Sequence, residues 1–174
     1  MSRVGIYSGT FDPIHNGHLA FAQAALDKGL VDKVCFLVEE SPRSKQNVTP
    51  LKDRMNMAWL AIHNNPRFEL IMVDQPTFSI KETLPLLEKS HGKLALLMGS
   101  DQAAHVHTWP DYEQLKNDTK IIVGQRSIQK VDDGFEHIAS SKIRHNPKVS
   151  QTLIPRDISR YIQAHHLYES VVNS

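Results

Sequence analysis

The chain has 174 residues, 40% of them hydrophobic and 22% charged, which suits one soluble globular domain over residues 1–174 with enough apolar material for a core. A formal net charge of +1 sets up no whole-molecule field of the kind that draws nucleic acid or a membrane surface, so neither is expected as a partner. Cys35 is the only cysteine, which excludes an intrachain disulfide framework or a cysteine-based zinc site; no stretch is long and apolar enough to span a bilayer, and the expected setting is the reducing cytoplasm.

Taken in chain order, strand-like and helix-like segments alternate. Val4–Tyr7 reads as a short buried strand, and a turn-rich loop follows it. His18–Lys28 reads as a helix, with Gly29 as its C-cap. Lys33–Val38 is a second strand, and Cys35 within it reads as a buried thiol rather than a nucleophile. Ser41–Val48 is a polar, Lys- and Arg-bearing loop. Thr49 as N-cap and Pro50 at the first helical position open a helix over Pro50–His63. Phe68–Val73 is a third strand. Ser79-Ile80-Lys81-Glu82 has the spacing of a capping box opening a helix over Ile80–Lys89. Leu94–Met98 and Lys120–Val123 are the fourth and fifth strands. Pro155–His165 puts Ile158, Tyr161, Ile162 and His165 on one helical face. The strands lack polar alternation, as strands buried on both faces do. The expected fold is therefore α/β, a Rossmann-like doubly wound parallel sheet of about five strands with helices on both faces. Ligands of such sheets bind at the edge where the strand C-termini gather.

The loop after the first strand runs Ser8-Gly9-Thr10-Phe11-Asp12-Pro13-Ile14-His15-Asn16-Gly17-His18. Gly9 and Gly17 let backbone come close to a ligand, and the helix start behind the loop favours phosphate. His15 and His18 are three apart, so one helical turn aims both imidazoles the same way, where they can donate to phosphate oxygens. Taken alone, the pair reads better as two surface histidines at a helix start. A metal pair is the other option, but Asp12 as its third ligand matches zinc spacings poorly.

Gly9-Thr10-Phe11-Asp12-Pro13-Ile14-His15-Asn16-Gly17-His18-Leu19 resembles the signature of adenylyltransferases that carry a His-x-Gly-His element. The second half of their signature is a Ser-Ser/Thr-x-Ile-Arg run, and Ile138-Ala139-Ser140-Ser141-Lys142-Ile143-Arg144 is similar to it. The resemblance implies His15, His18 and Arg144 as catalytic residues. It implies ATP contacts from Gly9, Thr10, Phe11, Gly17, Lys45, Gly99, Asp101, Ser140, Ser141 and Ile143 as well. Physical chemistry supports the second motif: Ser caps a helix whose N-terminus faces phosphates, and Arg144, one turn on, can bridge their oxygens.

The resemblance reaches further toward the bacterial nicotinate mononucleotide branch. Ser41-Pro42-Arg43-Ser44-Lys45 with Arg54 and Met55 is similar to its Lys-bearing loop and following helix. Thr77-Phe78-Ser79 resembles its Ser/Thr-Tyr-Thr segment, Gly99-Ser100-Asp101 and Trp109 its Gly-x-Asp and Trp pair, and Val123–Arg126 and Arg160–Tyr168 its later strand and closing helix. The phosphopantetheine branch usually has Thr in place of His15. Thr77, Phe78 and Trp109 are then the expected acceptor contacts, with the Trp109 ring stacked on the pyridine. His105 and His107, which alternate with Val106, read as surface residues.

The implied reaction is in-line attack of the acceptor's 5′-phosphate on the α-phosphorus of ATP, with pyrophosphate released in a step of NAD biosynthesis. Mg²⁺ is carried by ATP, with no dedicated protein metal site. Partners are ATP and a pyridine mononucleotide; self-association into a homo-oligomer stays open. Two alternatives stand: a related enzyme with another phosphate acceptor such as phosphopantetheine, and a non-catalytic nucleotide-binding protein. Two departures from the pattern bear on the acceptor. The segment between Arg126 and Ile138 is short, and Pro110 follows Trp109 where the nicotinate enzymes use a backbone N–H to hold the carboxylate.

Overall fold

The computed structural model describes residues 3–42, 45–124, 128–131, 134–146 and 152–169; Arg43, Ser44 and Arg126 lie outside them. In chain order the elements are β1 (Val4–Gly9), α1 (Asn16–Asp27), β2 (Lys33–Val38), α2 (Leu51–Ile62), β3 (Phe68–Ile71), α3 (Thr83–His91), β4 (Leu94–Gly99) and α4 (Ser100–His105). A 3-10 turn (Val106–Thr108), α5 (Tyr112–Asp118), β5 (Lys120–Gly124), β6 (Ile128–Val131), β7 (Gly134–His137), α6 (Ser140–His145) and α7 (Arg156–Ala164) follow. The first five strands make one all-parallel sheet in the order β3-β2-β1-β4-β5. They are the five apolar runs expected from the sequence.

Consecutive strand residues enter opposite cores, which explains the missing polar alternation. Val34, Phe36 and Val38 join Leu26, Met57 and Ile158 from α1, α2 and α7. Cys35 and Leu37 join Leu84 and Leu87 of α3 and Leu115 of α5 on the other face. The sheet is therefore doubly wound. Its order reverses between β1 and β4, so the C-terminal ends of these two strands, at Gly9 and Gly99, flank the crevice where such sheets hold ligands.

The α1 C-terminus closes with paired bonds, Gly29 N–H to Leu26 O and Leu30 N–H to Ala25 O, and Gly29 takes the left-handed φ of 61° that this closure needs. Lys28 is the C-cap itself and Gly29 the residue after it. Three caps differ from expectation. Thr49 does not cap α2, because Pro50 holds that position; the Thr49 N–H donates to Asp12 Oδ2 at 3.1 Å. The box at Ser79 is half as expected: the Glu82 N–H donates to Ser79 Oγ at 3.3 Å, but the Ser79 N–H goes to Thr83 Oγ1 at 3.0 Å rather than to the Glu82 side chain, and the helix starts at Thr83. Ser140 is the first residue of α6, capped by Ala139, because the Ser140 hydroxyl donates to Pro13 O at 2.9 Å. Along α7, Ile158 and Ile162 are buried, whereas His165 is exposed and stacks on Tyr161. The antiparallel hairpin of β6 and β7 was not anticipated.

Candidate active site

A cleft opens at the β1/β4 edge, with two lobes of about 450 and 330 Å³. Tyr7, His18, Lys45, Gly99, Asp101 and Ser140 line both lobes. The first lobe adds Gly9, Thr10, Phe11, Glu39, Phe78 and Trp109, and the second adds His15, Gly17, Ser141 and Arg144. Almost every residue named from the sequence is thus on one cleft. Two are not. Ile143 is fully buried and anchors α6 in the core, and Thr77 gives its hydroxyl to Ser41 O outside both lobes.

His15 is the N-cap of α1, and the two histidines form a reciprocal capping box. The His15 N–H donates to His18 Nδ1 at 3.2 Å, and the His18 N–H reaches His15 Nδ1 at 3.4 Å, a long contact. Their rings stack with centroids 3.6 Å apart. A backbone N–H can only donate, so each Nδ1 must accept and each ring carries its proton on Nε2. Nε2–H is the group left for a ligand. Burial holds the His15 pKa down to about 4. Burial first, then His15 and Lys45, hold His18 well below the usual histidine range. The pair is therefore neutral at pH 7. Phe11 underlies this arrangement. Its backbone is left-handed (φ 48°), and its buried ring meets His18 edge-on at 5.1 Å.

Around the histidines stand cations. The Lys45 ammonium turns inward and donates to Thr10 Oγ1 at 2.9 Å; the loss of hydration, then Arg144, lower its pKa. Arg144 Nη1 donates to Asp12 O at 2.6 Å. Gly124 at the end of β5 lets Phe21 wall the second lobe: a Cβ there would sit 2.6 Å from the Phe21 ring. Trp109 lines the first lobe while also leaning on the core, its ring tilted 53° from Phe78 with centroids 6.4 Å apart. Asp101 is exposed at the start of α4 and borders both lobes. His107 is exposed as expected; His105 is exposed too, yet borders the first lobe.

Sequence reasoning missed the scaffold beneath the site. Arg54 is 1% exposed and donates to four backbone carbonyls: Thr49 O (2.7 Å), Thr10 O (3.0 Å), Glu39 O (2.6 Å) and Glu40 O (2.9 Å). It thus sews the loop after β1 to the loop after β2. Glu39 accepts from the Ser8 hydroxyl inside the first lobe. Elsewhere Cys35, Glu69 and His91 gather with metal-like spacing, but Lys33 pairs with Glu69, and burial, then Glu69, push the thiol up to about 12, far from a thiolate. Among the described residues no helix is long and apolar enough to cross a membrane.

Sheet order and cleft position define a nucleotide-binding α/β protein, and comparison places it: the chain belongs to the cytidylyltransferase-like family, whose model matches residues 6–146. Within it, the chain belongs with the nicotinate-nucleotide adenylyltransferases. It is 30% identical to the nicotinate-nucleotide adenylyltransferase of Bacillus subtilis over 98% of this chain and 100% of that one. It is 31% identical to a "probable nicotinate-nucleotide adenylyltransferase" of Corynebacterium kroppenstedtii over 95% of this chain and 90% of that one. The fold matches a solved structure of Plasmodium falciparum nicotinic acid mononucleotide adenylyltransferase complexed with NaAD, with a TM-score of 0.77, 19% identity, and 97% and 98% of the two chains covered. The protein is a nucleotidyltransferase.

Proposed function

We propose that the cleft transfers the adenylyl group of MgATP to the 5′-phosphate of nicotinate or nicotinamide mononucleotide, releasing pyrophosphate, in the cytoplasm. One observation carries the reading: two histidines locked as Nε2–H donors at the β1/β4 edge of a chain of this family, with Lys45 and Arg144 beside them. The second lobe then takes the triphosphate and the first takes the acceptor. Mg²⁺ enters as part of the MgATP substrate.

The chemistry needs no protein nucleophile. An acceptor phosphate oxygen attacks the α-phosphorus, the bond to the β,γ-diphosphate breaks, and pyrophosphate leaves with that bond's electrons. The protein's share is positioning and charge stabilisation. His18, which borders both lobes, lies where the two substrates meet. Its Nε2–H donates to the transferring phosphoryl group, and His15 supports it from the second lobe. Both rings enter the reaction neutral, so a bound phosphate gains a donor without displacing a histidine counter-ion. Lys45 and Arg144 neutralise the triphosphate, with Ser140 and Ser141 as further donors. Thr10 holds Lys45 in place through its hydroxyl. Trp109 and Phe78 provide the aromatic wall for the pyridine ring.

The test is pyrophosphate release from ATP with three acceptors: nicotinate mononucleotide, nicotinamide mononucleotide and phosphopantetheine. Release with a pyridine mononucleotide and none with phosphopantetheine is expected. Release with phosphopantetheine alone, or with no acceptor, overturns the reading.

A further inference from the structure

Asp12 is 2% exposed, and a carboxylate so buried must be held by donors. Among the described residues two parts of the chain hold the carboxylate and a third holds the same residue's backbone. Tyr168 Oη donates to Oδ1 at 2.7 Å, the Thr49 N–H donates to Oδ2 at 3.1 Å, and Arg144 Nη1 donates to the backbone carbonyl at 2.6 Å. Thr49 ends the loop that carries Lys45. Asp12 therefore joins both cationic segments of the second lobe to a tyrosine near the end of the chain.

Tyr168 is held firmly. Its ring belongs to the first core. The helix before it, α7, is pinned to α2, because Tyr161 Oη donates to Asp53 Oδ1 at 2.8 Å and accepts from Asn56 Nδ2 at 2.8 Å. The turn that leads from α7 to Tyr168 is strained: His166 and Tyr168 both have left-handed backbones, with φ of 52° and 69°. Such strain persists only where surrounding contacts enforce it, and the Tyr168–Asp12 bond is one of them.

We propose that Tyr168 is a positioning residue for adenylyl transfer: through Asp12 it fixes the loop on which Arg144 leans, and so sets where the Arg144 guanidinium stands in the triphosphate lobe. This rests on the reading that the second lobe takes the triphosphate. Without the tyrosine hydroxyl, Asp12 Oδ1 has lost the donor that the described residues give it in a buried setting. The carboxylate is then left to the surrounding cations: Arg144 is bonded to the same residue through its carbonyl, and Lys45 and Arg54 lie within the carboxylate's field. A purely structural staple would instead lower stability and leave the two substrates equally affected.

The experiment is a double-mutant cycle of Tyr168→Phe and Arg144→Ala, which keeps the ring packed in the core. Tyr168→Phe is expected to lower kcat/KM for MgATP by about tenfold, the scale of one charge-assisted hydrogen bond, with the acceptor KM unchanged. Added to Arg144→Ala, it should cost nothing further. Additive losses overturn the proposal, as does a Tyr168→Phe enzyme with full kcat/KM for MgATP and only a lowered Tm. The same cycle read by calorimetric binding of a non-hydrolysable ATP analogue needs no turnover. It judges Tyr168 even if the parent protein releases no pyrophosphate, an outcome that would count against the proposed reaction instead. Should Tyr168→Phe lose its cooperative unfolding, Asp12→Asn carries the test, with the same non-additivity toward Arg144→Ala expected.

Discussion

His15 and His18 stack with ring centroids 3.6 Å apart, and the Nδ1 of each faces the backbone N–H of the other. Two imidazolium ions would repel at that distance, so the arrangement requires neutral rings. Sequence spacing brings the two to one turn of helix; the reciprocal contacts then choose the tautomer. His18→Ala removes the donor placed between the two lobes. Its kcat is expected to fall by roughly 10²–10³, the usual loss for one such donor, with a much smaller change in KM. Pyrophosphate release under saturating substrates measures it, and a near-normal kcat would remove His18 from the reaction.

Neutral buried histidines make stability depend on pH. The His15 pKa lies near 4 in the folded chain, below the unfolded value of about 6.5, so the unfolded chain takes up the proton first. Stability is full above about pH 6.5 and is drawn down as the pH falls toward about 4. His18 acts in the same direction. The His15 contribution amounts to roughly 3 kcal/mol when the pH has passed below both values. His15→Asn keeps an N-cap acceptor at α1 but removes this titration. Urea unfolding between pH 7 and 4.5 should show a shallower loss for the variant than for the parent. Equal slopes would mean that His15 does not titrate as its burial requires.

The sheet was legible because its strands are continuous apolar runs, a signal that needs no knowledge of partners. The cleft was legible through Gly9–His18 and Ser140–Arg144, two local motifs. The scaffold was not, because Tyr168–Asp12 and Arg144–Asp12 join residues 156 and 132 positions apart and leave no periodic trace. Two caps depended on the same distant contacts: Ser140 gives its hydroxyl to Pro13 O in the loop after β1, and Thr49, one residue short of the α2 cap, ties its N–H to Asp12 in that loop. The β6–β7 hairpin did carry a local signal. Asp132-Asp133-Gly134 is a turn-rich triplet in the sequence, and Gly134 opens β7 opposite Val131, but the runs on either side are too polar to stand out as strands.

Arg54 is the member of that scaffold whose loss should cost the most stability. Its guanidinium satisfies four carbonyls from two loops, and its replacement by an apolar side chain of similar length strands all four. Arg54→Met is expected to cost about 3–5 kcal/mol, the range for removing one partner from a buried charged network. Arg54→Lys should recover only part of this, since an ammonium cannot fork between Thr10 O, Glu39 O and Glu40 O. Urea denaturation of both variants decides the matter. A loss under about 1 kcal/mol for Arg54→Met would show that the loops hold without the arginine.

Trp109 and Pro110 set the last expectation, on the acceptor. The Trp109 ring both lines the first lobe and rests on the core, so it is a held platform rather than a loose side chain. Stacking on an aromatic side chain contributes about 1–3 kcal/mol per base, and a pyridine ring is a smaller version of that contact. Trp109→Ala should therefore raise the acceptor KM by roughly one to two decades while the MgATP KM barely moves. The backbone beside the ring makes a separate statement. The Trp109 N–H is already given to Val106 O at 3.0 Å, and Pro110 has no N–H to give. A nicotinate carboxylate that lacks this donor forgoes a charge-assisted hydrogen bond, worth about 1.5–3 kcal/mol, whereas a neutral carboxamide forgoes less. Discrimination between nicotinate and nicotinamide mononucleotides should accordingly be weaker here than in relatives with an N–H after the tryptophan. The ratio of kcat/KM for the two mononucleotides measures it directly. A preference for nicotinate mononucleotide of about 10³-fold or more would show that other donors in the first lobe, with Lys45 and His105 the candidates, replace the missing one.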